Sequence, residues 1–144
     1  MLGVIITGHG GFASGMEKAM LQVLGGQPQV AAIDFPASST TQQLEQQFVA
    51  ALNEIDSGDG VVFITDLLGG SPFRVASTLA IPRADIEVIT GANLQLVLEM
   101  MMEREELTPK EFCYQALICG HRGMTSLADE MQKKAADTSA CEGI

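Results

Sequence analysis

A histidine set between glycines, Gly8-His9-Gly10-Gly11, follows directly on the β-branched run Val4-Ile5-Ile6-Thr7. Such small neighbours leave the imidazole reachable by another macromolecule and let loop amides approach an anion closely. A second glycine pair, Gly69-Gly70, lies between Asp66 and Ser71 in the stretch TDLLGGSPF. A carboxylate that accepts a hydrogen bond from one ring nitrogen fixes the tautomer. It leaves the other nitrogen as a nucleophilic lone pair and stabilises positive charge that develops during attack. Asp66 is the candidate for that role. Gly10, Gly69, Gly70, the Ser71 hydroxyl and the amides of a helix starting at Pro72 would form the phosphoryl-binding half of the site. Together these parts describe a phosphorylatable histidine.

The same letters hold a competing pattern. Gly8, Gly10 and Ala13 satisfy G-x-G-x-x-[GA], and Asp34 follows about 20 residues later, as in a dinucleotide-binding turn. On that reading the chain is a small nucleotide-binding module. Against it, the chain has no room for a substrate domain, and TDLLGGSPF is left without a role. No GK[ST] follows any glycine cluster, so a P-loop is absent. No arginine adjoins His9, as a histidine phosphatase would require.

The elements that must position these residues can be read from periodicity. GVIIT (3 to 7), VAAID (30 to 34), GVVFIT (60 to 65) and IEVIT (86 to 90) have the length and branching of strands buried on both faces. Between them, Leu44, Phe48, Leu52 and Ile55 recur at helical spacing over Thr41 to Ile55. Met16, Ala19, Met20 and Val23 make a similar stripe, with Ser14 and Glu17 as a capping box. Ser71 with Pro72 reads as N-cap and first helical residue, Asn93 caps a helix carrying Leu94, Val97, Leu98 and Met101, and Thr108-Pro109 with Glu111 opens another helix reaching about Ile118. Met124 to Met131 is either a short helix or an extra edge strand, and residues 132–144 read as a loosely ordered tail.

Strand alternating with helix predicts an α/β fold: an open, four-stranded parallel sheet with helices on both faces. Ligands in such sheets bind beyond the carboxyl ends of the strands, where strand order reverses. For order 2-1-3-4, strands one and three are neighbours at that point, so His9 and Asp66 face each other.

A chain of 144 residues, 47% hydrophobic, is one domain long enough to bury a core. With a formal net charge of -10 and no basic stripe, nucleic acid is not an expected partner. The odd set Cys113, Cys119 and Cys141 lacks metal-ligand spacing and reads as core or surface thiols. No basic n-region and no apolar run of about 18 residues is present, which predicts a cytoplasmic chain. His121 reads as a helix-end or loop residue, Arg74 as part of a solvated face, Glu103, Glu105 and Glu106 as a solvated helix end, and Met100 to Met102 as core packing.

The stretches GVIITGHGGFASG, AIDF, GVVFITDLLGGSPF and EVITGANLQLVLEM resemble the mannose-type IIA domain of the bacterial phosphoenolpyruvate-dependent sugar phosphotransferase system, over about residues 1–131. Within that family the resemblance points to the N-acetylgalactosamine or galactosamine branch. It implies that His9 accepts a phosphoryl group from the phosphocarrier HPr and passes it to a IIB component, which serves membrane IIC and IID components. It implies that Asp66 orients His9 through Nδ1, that Nε2 is phosphorylated, and that Ser71 bonds phosphoryl oxygens. No metal or cofactor is implied. It also implies a homodimer whose antiparallel edge strand, Met124 to Ala128, is exchanged between subunits. Phe12, Leu68 and Phe73 are expected to form an apolar docking rim, with Leu68 standing where the mannose-specific member has an aromatic residue.

Overall fold

Near-continuous apolar runs become central strands because both their faces are covered. In the computed structural model, which describes residues 1–142 and side chains through residue 137, β1 (Gly3–His9) is buried from Gly3 to Gly8, and β3 (Val61–Thr65) is buried throughout. These two pair in parallel at the centre, flanked by β2 (Val30–Phe35) and β4 (Ile86–Ile89), giving the parallel order β2-β1-β3-β4. This is the expected sheet.

Alternate strand residues feed two cores. Val4, Ile6, Val62 and Ile64 pack under α1 (Phe12–Leu24), α4 (Leu94–Glu103) and α5 (Pro109–Gly123), with Met20, Met100, Met101 and Phe112. Ile5, Ile33, Phe63 and Ile86 pack under α2 (Thr41–Ile55) and α3 (Ser71–Ala80), with Leu44, Phe48 and Leu52. Met100 and Met101 are core residues as expected, whereas Met102 is exposed. Burial pushes the Cys113 thiol up to about 12 and the Cys119 thiol to about 11, so both rest as neutral thiols. The Cys141 side chain lies outside the described residues.

The caps are partly as expected. Asn93 Oδ1 accepts from the Leu96 amide at 3.0 Å, and Thr108 with Glu111 forms a capping box. Two expectations are corrected. Helix α1 starts at Phe12 with Gly11 as N-cap, so Ser14 lies inside its first turn and donates to the Gly11 carbonyl instead of capping with Glu17. Gly70, not Ser71, caps α3, which places Pro72 second in the helix, where its missing N–H costs nothing.

Helix α5 runs past Ile118 to Gly123, because Asn93 Nδ2 donates to the Gly120 carbonyl and Arg122 pairs with Glu99. His121 therefore sits in the last helical turn, where a basic residue suits the dipole. The implied edge strand at Met124 to Ala128 is not formed in the single chain. Met124 ends α5, Ser126 Oγ accepts from the Asp129 amide, and α6 (Leu127–Glu142) begins with Asp129 and Glu130 in its first turn, a local helix-start signal. The segment from residue 132 is helical through Glu142, with exposed side chains from Leu127 to Asp137.

Candidate functional site

His9 ends β1 and Asp66 follows β3, and the β1–β3 pairing brings them together. Asp66 Oδ2 accepts from the His9 backbone N–H at 2.8 Å and stands 2.8 Å from His9 Nδ1, while Oδ1 accepts from the Leu67 amide at 2.9 Å. Burial pushes the Asp66 carboxyl upward. The His9 amide, the His9 ring and the Leu67 amide outweigh that and hold it below its ordinary value. An ionised carboxylate beside Nδ1 favours the tautomer with the proton on Nδ1, and Nε2 is left with the lone pair.

The imidazole is 43% exposed and its carboxylate partner only 10%, so the ring is presented and its anchor is not. Glycine supplies the clearance. A Cβ on Gly70 would stand 2.6 Å from His9 Cε1 and 3.3 Å from Nε2, which puts the start of α3 against that edge of the ring. A Cβ on Gly8 would meet the Phe12 ring at 2.5 Å and Asp66 Cγ at 2.9 Å. No side chain caps α3, and Pro72 has no N–H, so the Ser71 and Phe73 amides are the free donors of that terminus. An anion bound to Nε2 would lie at a positive helix end.

The remaining expected residues are distributed as follows. Gly10 and Gly69 adopt left-handed φ values of 56° and 82° that favour glycine. Ser71 is the first residue of α3, its Oγ 3.4 Å from Arg74 Nη2. Leu68 is 75% exposed beside an exposed Leu67, Phe12 is half-buried against Gly8, and Phe73 lines a groove of about 340 Å³ along β4. Asp34, the acidic residue of the nucleotide-turn pattern, accepts from the Ser14 amide at 2.9 Å within the first turn of α1. One oxygen of that carboxylate is thus engaged in holding a helix start.

One residue escaped the motif reading. Phe35, at the end of β2, is in register with His9, and the two rings meet edge to face with centroids 5.8 Å apart and planes at 80°. The signal was available: once strand two is set beside strand one, the residue after Asp34 is the cross-strand neighbour of His9. Among the described residues no three His, Cys, Asp or Glu side chains converge as a metal-ligand set. No helix among them is long and apolar enough to cross a membrane.

Residues 3–117 match the family model described as PTS system fructose IIA component, EIIA-man. A candidate phosphotransferase enzyme IIA component of Escherichia coli K12, YadI, is 37% identical over 133 residues, covering 92% of this chain and 91% of its own. The mannose-specific EIIAB component of the same strain is 32% identical over 141 residues, and there the match spans 96% of this chain but only 43% of the relative. The crystal structure of the phosphotransferase system component EIIA from Streptococcus agalactiae superposes with a TM-score of 0.80 at 28% identity, covering 90% of this chain and 99% of that one.

Proposed function

This chain belongs to the EIIA-man family of phosphotransferase-system IIA components, and we propose that it carries a phosphoryl group on His9 Nε2 between HPr and a IIB component. The observation that carries this reading is the 2.8 Å contact between His9 Nδ1 and Asp66, with the opposite edge of the ring turned to the start of α3, which no side chain caps. The Nε2 lone pair attacks phosphorus on a phosphohistidine of HPr. The donor N–P bond breaks, its electron pair returns to the donor imidazole, and a P–Nε2 bond forms. The proton on Nδ1 stays on the ring, whose positive charge is shared with Asp66. Transfer to IIB repeats the exchange with His9 as leaving group.

In this reading Gly10, Gly69 and Gly70 give clearance, the Ser71 hydroxyl and the α3 amides bond the phosphoryl oxygens, and Phe12, Leu68 and Phe73 contribute to docking. Alanine at Phe12, Leu68 and Phe73 is expected to raise the half-saturating concentration of phospho-HPr. The chain would act in the cytoplasm, ahead of membrane IIC and IID components. For the sugar we propose an amino sugar of the galactosamine class, a reading supported by motif resemblance. Deletion of the chain is expected to stop growth on that sugar and spare growth on mannose.

A homodimer is proposed across β4, whose outer edge has no strand partner among the described residues and is flanked by grooves of mixed polar and apolar lining. Sedimentation at micromolar concentration tests it. The central reading is tested with phosphoenolpyruvate, enzyme I and HPr. Acid-labile phosphate on His9, absent from His9→Ala, is the expected result. Absence of label together with saturable NAD binding would overturn it.

A further inference from the structure

We propose that Phe35 is a positioning residue for transfer at His9, its ring limiting the rocking of the imidazole so that Nε2 stays turned toward the start of α3. The inference rests on the reading of His9 as the phosphoryl carrier. One hydrogen bond, from Nδ1 to Asp66, fixes a direction but still lets the ring rock through small coupled changes in χ1 and χ2. A side chain that is 43% exposed has few other restraints. Two contacts supply them. The Gly70 backbone closes on the Cε1–Nε2 edge, where even a Cβ would not fit. Phe35 meets the ring with planes at 80° and centroids at 5.8 Å, an aromatic pair in its preferred edge-to-face arrangement.

Phe35 is itself held. Its carbonyl accepts from the Gly10 amide at 2.9 Å, which ties the loop after His9 to the end of β2, and its ring packs against the core beneath α2 and α3. Asp66 thus selects the nitrogen, and Phe35 together with Gly70 aims it. In-line displacement at phosphorus needs the attacking lone pair aligned with the breaking N–P bond, and misplacement by about 1 Å can cost on the order of 10²-fold in rate.

The test is single-turnover transfer from phospho-HPr to the full chain, measured for the wild type, Phe35→Ala, Phe35→Leu and Phe35→Tyr. Phe35→Ala is expected to lower the maximal rate constant roughly 10- to 100-fold with the half-saturating concentration unchanged. Phe35→Tyr should restore the rate, and Phe35→Leu, which keeps apolar bulk without a planar ring, should not. The 15N shifts of the His9 ring should still report the proton on Nδ1 in every variant. An unchanged maximal rate in Phe35→Ala would overturn the proposal. So would a higher half-saturating concentration at the same maximal rate, which would assign Phe35 to docking. If Phe35→Ala does not fold, Phe35→Leu decides by the same criteria. Failure of the wild type to take label on His9 would remove the carrier reading itself, whereas label on His9 with wild-type rates in the variants removes only this one.

Discussion

The two ends of the sheet treat hydrogen-bonding capacity in opposite ways. At the amino ends of the strands, Arg104 is 1% exposed, and its guanidinium donates to the carbonyls of Leu2, Pro28 and Gln29, leaving only Nε without a partner. Gln29 adds bonds to the carbonyls of Met1 and Ile55. At the carboxyl ends, His9 is exposed, its Nε2 has no hydrogen-bond partner among the described residues, and α3 begins without a side-chain cap. A buried polar group must be satisfied or it costs stability, so the first end is spent on holding the chain together. A transfer site needs unspent donors and a free lone pair, and the second end keeps them.

Removing Arg104 should break the closed end and leave the open end intact. Arg104→Met keeps much of the volume but strands the carbonyls of Leu2 and Pro28, at a cost of about 3 kcal/mol or more. Urea unfolding is expected to show that loss, while the folded protein takes phosphate on His9 at nearly the wild-type rate. A slowed transfer in the folded fraction would show that the two ends are coupled.

Asp66→Asn should act on the open end. The amide can no longer hold a proton on Nδ1 as an anion does, and transfer from phospho-HPr is expected to fall on the order of 10²-fold. The pH dependence of stability sharpens this. Because the native carboxyl titrates below its ordinary value of 3.8, its contribution is fully present above that value and is lost as pH falls through the lower native one. The stability gap between wild type and Asp66→Asn should therefore be widest at neutral pH and close under acid. A constant gap down to pH 2 would show that Asp66 titrates in the native state as it does unfolded.

These expectations rest on parts that were unequally legible in the sequence. The strands were readable because central parallel strands are apolar on both faces, and the order 2-1-3-4 then set His9 opposite Asp66. Local signals also served well at Asn93 and Thr108, whose caps involve residues three positions away. What could not be read depends on distant partners. The Asp34 carboxylate reaches 20 residues back to the Ser14 amide, which helps place Ser14 inside α1 and not at its cap. Arg122 and Asn93 extend α5 beyond the point where its apolar periodicity fades. The stretch after Met124 shows the converse: its local helix-start signals prevail within a single chain, where resemblance implied a strand.

The smallest expected effects come from a pair of glycines that separates clearance from propensity. Gly70 has an ordinary φ of -74°, so Gly70→Ala imposes no left-handed strain, and its consequence is spatial. The new methyl would stand 2.6 Å from His9 Cε1 and 3.1 Å from Leu67 Cδ1, and the imidazole would have to swing away from α3 to admit it. Transfer should slow about 10-fold, with stability changed by less than about 1 kcal/mol. Gly15, inside α1, has nothing within 4 Å of its would-be Cβ, so Gly15→Ala should stabilise by about 0.5–1 kcal/mol and leave transfer alone. Equal transfer rates in the two variants would mean that the start of α3 does not confine the ring, and that Asp66 alone holds it.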